Sequence, residues 1–594
     1  MMMTYSQQWE LDSIYPGGAN SPQLKEEISQ AERRIAELRR LLTQAEAASY
    51  EGLVQQTTIV EEVLAALREA DSFVACLMAQ NMFDKEATLL NDRLKNLSAA
   101  YTSVLTEFDD HLSSIDQEQW ERFLSQPDLA IVAYNLNERR ELAKHKMSPK
   151  LESLAADLAI DGYHGWGDFY NTIVSRMTFT LADGTELSTG QMSNRLDERD
   201  RSKRAAAFTL WEQGWSEQAD LCTDTINHLS GFRLKWYQNR GWGSYLEEPL
   251  QMNRMSEATL KAMWQAVEQG KKLLIPYFER KAQLLGVDKL EWHDVEAPLA
   301  SESGSQMSYD EAAAFIVEQF ASFSKELAEF AKQAFEKRWI EAEDRPGKRP
   351  GGFCTSLPKS KETRIFMTFS GSASNVSTLA HELGHAYHQH VMKDMPPLTQ
   401  EYAMNVAETA STFAEMIVSD RALQRAASNE EKLALVDDKI QRAIAFYMNI
   451  HARFIFECGL YEKRSQGPLT TEMLNELMVE AQKKAFLEQL SVYHPHFWAA
   501  KLHFYLTDVP FYNFPYTFGY LFSAGIYKRA LKEGPSFATA YDELLKDTGR
   551  LSVEELAHKH LAVDLTQTDF WEEAAGLVAE DVKLFLELTE QQLN

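Results

Sequence analysis

The stretch SPQLKEEISQAERRIAELRRLLTQAEAA, from Ser21, sets the pattern for most of the chain. Leu24, Ile28, Ile35, Leu38 and Leu42 recur at spacings of 3, 4 and 7, which draws one apolar stripe along an α-helix. Ser21 is a good N-cap, and Pro22 suits the first helical position. Helical patterning continues to about residue 130 and again over 195–345. Only 27 glycines and 17 prolines interrupt 594 residues. Both are below their usual shares of roughly 7% and 5%, so long helices with short joints are expected. The predicted fold is therefore mostly α, and the length calls for one very large helical body or for two lobes or more.

Two breaks in this texture are informative. MTFTLADGTELS (177–188) reads as a hairpin around Asp183–Gly184, a dipeptide that accepts a tight turn. It suggests a boundary between a helical N-terminal domain, 1–190, and a second helical domain, 191–594. Over 343–374, Pro, Gly and charge give way to two short extended runs, GFCTSL and RIFMTF. A small β element is predicted there. RIFMTF is read as a strand edge to which an extended peptide backbone could add.

TLAHELGHAYHQH (378–390) follows directly. On a helix, His381 and His385 point the same way one turn apart, and two such imidazoles can share one Zn²⁺. Glu382 lies beside the first of them, where a general base would reach a metal-activated water without binding the metal. Ser374, Asn375 and Ser377 offer N-caps, and Val376, Leu379, Ala380 and Leu383 supply an apolar face. Gly384, between the histidines, suits a close approach by another backbone. A second helical segment, YAMNVAETASTFAEMIVSDRAL, carries Glu408, 23 residues after His385. That leaves room to turn near Pro396–Pro397 and return a carboxylate to the imidazoles. Three protein ligands with one open position is the catalytic zinc arrangement.

HELGHAYHQ followed by NVAETASTFAE resembles the zinc-site signature of the thimet oligopeptidase and oligoendopeptidase F family of metallopeptidases, with the oligoendopeptidase F branch nearer. The resemblance covers roughly residues 200–580. It implies that His381, His385 and Glu408 bind one zinc ion and that Glu382 is the base. It also implies a zincin-type helical fold, with a deep channel that admits short peptides. His388 and Glu415 are near enough in helical register to orient a ligand. In YHPHFWAAKLHFYLTDVPFYNFPYTFGY (493–520), the family has a histidine and tyrosines that donate to the developing oxyanion. His503, Tyr512, Tyr516 and Tyr520 are the candidates here.

A formal net charge of −28 repels phosphate backbones and argues against nucleic acid as a partner. Cys76, Cys222, Cys354 and Cys458 are far apart and read as free thiols in a reducing compartment. The N-terminus lacks a basic region followed by an apolar run, and no stretch approaches a membrane span. A cytoplasmic zinc endopeptidase of short peptides is the expectation. A carboxypeptidase or dipeptidase would need a cationic side chain to grip a substrate terminus, and the sequence identifies none. A helical scaffold that binds peptides without chemistry would have no use for the base beside the ligands.

Overall fold

The computed structural model describes residues 4–44, 48–299 and 306–590. It is mostly α-helical, with three small sheets among the described residues. The chain divides into two compact units, each assembled from three segments. The first unit comprises Met1–Lys146, Ser305–Arg421 and Arg529–Ala562, and the second Met147–Gly304, Ala422–Lys528 and Val563–Asn594.

In the first unit the helices Pro22–Leu42, Tyr50–Gln80 and Lys85–Ser114 follow the apolar stripes of the sequence. Leu24, Ile28, Ile35 and Leu38 are buried, and Leu41 completes the stripe with Leu42 half-buried beside it. Side-chain caps set the starts of the next two helices: Ser49 accepts from the Gly52 amide and Asp84 from that of Ala87. One side chain ties all three segments together. Asn135 Nδ2 donates to Leu398 O at 3.1 Å and to Gly549 O at 2.9 Å. A side chain at position 549 would run into Thr399 O, so glycine is required where these segments cross.

A three-stranded sheet precedes the histidine helix. Glu362–Phe366 is its middle strand, parallel to Ile340–Glu341 and antiparallel to Phe353–Leu357 with Cys354 opposite Ile365. This corrects the reading of RIFMTF as an edge: the longer edge strand belongs to GFCTSL. Pairing on both sides explains why Thr363–Phe366 are buried while Phe353–Ser356 remain half-exposed.

The second unit is built on helix Arg201–Arg240, whose 40 residues extend roughly 60 Å at 1.5 Å per residue. Asp200 caps its start and Gly241, at φ +75°, its end. The hairpin appears where Asp183–Gly184 places it, as Thr178–Thr180 against Glu186–Ser188 with Gly184 at φ +85°. All four cysteines are free thiols. Among the described residues no helix is long and apolar enough to cross a membrane.

Candidate metal centre

Helix Ala373–Met392 carries HELGH. Its start is set by Ser372, which accepts from the Asn375 amide at 3.2 Å, rather than by Ser374, Asn375 or Ser377. Gly371 before it has φ +90°, and a Cβ there would meet Met307 O at 2.9 Å. The turn into the helix therefore belongs to Gly371–Ser372. The chain then passes through a 3₁₀ turn, Pro397–Gln400, and returns as helix Met404–Arg425.

The two helices touch at Gly384. A Cβ there would lie 2.5 Å from Ala410 O and 2.6 Å from Ser411 Cα. Removing that side chain lets the backbones meet one turn from Glu408. Gly384→Ala should therefore force the helices apart, lower stability by about 1–3 kcal/mol as overpacking does, and weaken zinc binding. Thermal unfolding with and without zinc checks both effects.

Three ligand-type atoms converge between these helices. His381 Nε2 is 3.3 Å and His385 Nε2 3.5 Å from Glu408 Oε2. The imidazole rings are 4.8 Å apart and nearly perpendicular. The donor atoms all lie within 4.8 Å of one another. With Zn–N distances of about 2.0–2.1 Å, ligand atoms at two corners of a tetrahedron are separated by roughly 3.3 Å. The donor set and its spacing thus fit zinc.

The surroundings orient each group. His381 Nδ1 faces Glu415 Oε2 at 3.3 Å, and Ser377 donates to the other Glu415 oxygen at 2.8 Å. Ser411 donates to Glu408 Oε2 at 2.8 Å. Burial raises the Glu408 pKa, but hydrogen bonding and charge from the two histidines outweigh it and hold the carboxyl near 2. Burial pushes His385 down to about 4, against the pull of Glu408, which leaves its ring neutral. A neutral imidazole at His385 and an ionised carboxylate at Glu408 are the protonation states a metal needs.

Glu382 is not one of the three converging residues. It is 7% exposed, and its Oε2 has no hydrogen-bond partner among the described residues. Burial, with Glu408 adding to it and His381 opposing, raises its pKa to about 7. A carboxyl buried without a partner is costly, and this one adjoins the ligand cluster.

His388 lies on the same helix but spends Nε2 on Thr548 Oγ1 at 2.8 Å and stacks on Tyr402 at 4.2 Å. No hydrogen bond joins it to His381 or His385 among the described residues. Of the aromatic candidates, all in the second unit, Tyr516 donates to Tyr512 at 2.8 Å and His503 lies 5.2 Å from the Tyr512 ring. Tyr520 stacks instead on Phe446 at 4.5 Å. Ser377 and Ser411 escaped the sequence reading as supporting groups. Their spacing held the signal: Ser377 is one turn before His381, and Ser411 three residues after Glu408.

The chain has relatives among known proteins. The sequence profile of peptidase family M3 matches residues 195–577, and that of Oligopeptidase F matches 111–179. Oligopeptidase PepF of Bacillus subtilis is 22% identical over 98% of this chain and 87% of its own. A solved structure from Chlamydophila abortus superimposes with a TM-score of 0.84 at 18% identity over 99% of each chain. Oligoendopeptidase-F from Enterococcus faecium gives 0.69 at 18% identity, over 96% of this chain and 98% of its own. The profile match spans well over half the sequence and contains the whole histidine–glutamate cluster, so the chain belongs to peptidase family M3 and is a metallo-oligopeptidase.

Proposed function

We propose that the protein is a zinc-dependent endopeptidase of short peptides, in which His381, His385 and Glu408 hold one metal ion and Glu382 is the general base. The observation that carries this reading is the pairing of a three-atom ligand cluster with a buried, unpartnered carboxylate beside it. When bound, zinc supplies Lewis acidity, polarising a carbonyl and making water more acidic. The other steps belong to side chains. Glu415 accepts from His381 Nδ1, which leaves the Nε2 lone pair for the metal. Glu382 takes a proton from the attacking water at its unpartnered oxygen and returns it to the leaving amine nitrogen. A carboxyl with a pKa near 7 can do both. An extended substrate would pair with the edge strand Phe353–Leu357, whose first residue follows Gly352, itself beside Glu382.

His503, Tyr512, Tyr516 and Tyr520 are proposed as oxyanion donors. Burial lowers the His503 pKa to about 4, so its imidazole is neutral and retains an N–H to donate. His388 is proposed as a supporting residue that fixes the back of the ligand helix. Glu415→Gln should reduce zinc affinity by about 10–100-fold, read by competition with a chromophoric chelator.

The reading is tested with an internally quenched peptide blocked at both ends. Cleavage at an internal bond is expected. It should cease on chelation and return with zinc. Cleavage that ignores the chelator would sink the metal assignment. Cleavage confined to peptides with a free terminus would replace the endopeptidase with an exopeptidase.

A further inference from the structure

Among the described residues, the strand Phe353–Leu357 has one unpaired side, and the register identifies the backbone groups that lie there. Ile365 N donates to Trp339 O and Met367 N to Glu341 O, both at 2.9 Å, so these two residues turn their peptide groups toward Ile340–Glu341. Alternation then turns those of Arg364 and Phe366 toward Thr355 and Phe353, their partners in the antiparallel pair. Cys354 and Ser356 are left facing outward, each with one N–H and one C=O. An added peptide strand would use these groups, which lie two residues and about 7 Å apart.

The inner of the two is close to the base. Cys354 is two residues from Gly352, where a Cβ would lie 3.6 Å from Glu382 Oε1. The outer one, Ser356, is near the hairpin turn, and helix Tyr50–Gln80 supports this end of the strand. Arg68 Nη2 donates to Ser356 Oγ at 3.0 Å, and the hydroxyls of Ser72 and Thr355 are hydrogen-bonded at 2.7 Å. Glu69 lies on the same helix and is 1% exposed. Its carboxylate accepts from the Lys359 amide at 2.9 Å, from the Ser360 amide at 3.2 Å and from the Ser360 hydroxyl. Lys359 Nζ also pairs with Glu27 at 2.6 Å.

A turn that only joins two strands can leave its amides to water. Here a carboxylate is withdrawn from water, at a cost in free energy, and both of its oxygens are engaged by the turn. Lys361 in the same turn has φ +56°, a left-handed backbone that is unfavourable for a lysine. The turn is thus fixed from outside, and with it the direction in which the end of the strand presents the peptide groups of Ser356.

We infer that Glu69 is a positioning residue for the substrate. By holding the turn it keeps Ser356 in line with Cys354, so that a peptide pairs with both. The inference rests on the edge-strand pairing in the reading above.

The test uses the zinc-loaded full chain and internally quenched peptides of one sequence, blocked at both ends and N-methylated at one residue at a time outside the scissile bond. In the parent, N-methylation should raise KM at two positions two residues apart, those facing Cys354 and Ser356, and not at the residue between them. In Glu69→Gln, an amide nitrogen replaces one acceptor and meets a donor of the turn. KM for the unmethylated peptide should rise about fivefold or more, the worth of a pair of backbone hydrogen bonds, with kcat and zinc content unchanged. N-methylation at the outer position should then have no further effect, while the inner position keeps its own. A residue that only stabilises the fold would lower kcat or weaken both positions alike. Either result, or an outer position that behaves as in the parent, overturns the inference. If Glu69→Gln does not fold, Ser360→Ala, which removes only the hydroxyl donor, decides by the same loss at the outer position. Cleavage without alternation removes the edge-strand pairing, and no cleavage removes the peptidase reading; the inference falls with either.

Discussion

Glu382→Gln should retain a full complement of zinc and lose turnover by about 10²–10⁴-fold, the usual worth of a positioned general base. The substitution keeps the shape of the side chain and removes its basicity. Among the described residues Glu382 Oε2 has no hydrogen-bond partner to lose, and the residue is not among the three that converge. The effect should therefore fall on kcat, with KM little changed, because the lost group acts on a proton and not on ground-state binding. Metal analysis and steady-state kinetics on one preparation read both quantities. Unaltered kcat with intact zinc would strip Glu382 of its role.

Glu408→Ala should abolish zinc binding and, with it, peptide hydrolysis. A residue that only supports a ligand costs about 10–100-fold in metal affinity when removed. That range sets a lower bound for removing a ligand itself. Alanine is the strongest helix former, and position 408 lies inside helix Met404–Arg425, so the helix should survive. Circular dichroism can verify this. The contrast with Glu415→Gln is informative, because the supporting variant should recover activity at raised zinc and the ligand variant should not. Stoichiometric zinc in Glu408→Ala would mean that the metal sits elsewhere.

The parts of this site that were readable in the sequence are those governed by local geometry. The helical repeat fixes His381 and His385 on one face. The need for a bare backbone at Gly384 follows from its place between them, and Ala410 is the backbone that fills the space. The Asp183–Gly184 turn is likewise a short-range matter. Errors arose where neighbours in space decide. Several small polar residues precede the histidine helix, and only the contact of Gly371 with Met307 singles out Ser372 as the cap. RIFMTF is central because Ile340–Glu341 pairs with it from outside the 343–374 stretch. Spacing placed Glu415 near the ligands, but only the fold shows that it meets His381 Nδ1.

The braided make-up of the first unit bears on how the protein is made. Every proposed ligand has left the ribosome by residue 421, yet Tyr387 must wait for Asp542, and His388 for Thr548, both on the last strip of that unit. At about 5–20 residues per second, the growing polypeptide carries the reverse side of its histidine helix uncovered for roughly 7–28 s. Chaperone occupancy during synthesis should therefore peak before residue 562 emerges. A fragment ending near residue 421 would contain every metal-binding group and still lack the strip against which their helix is packed.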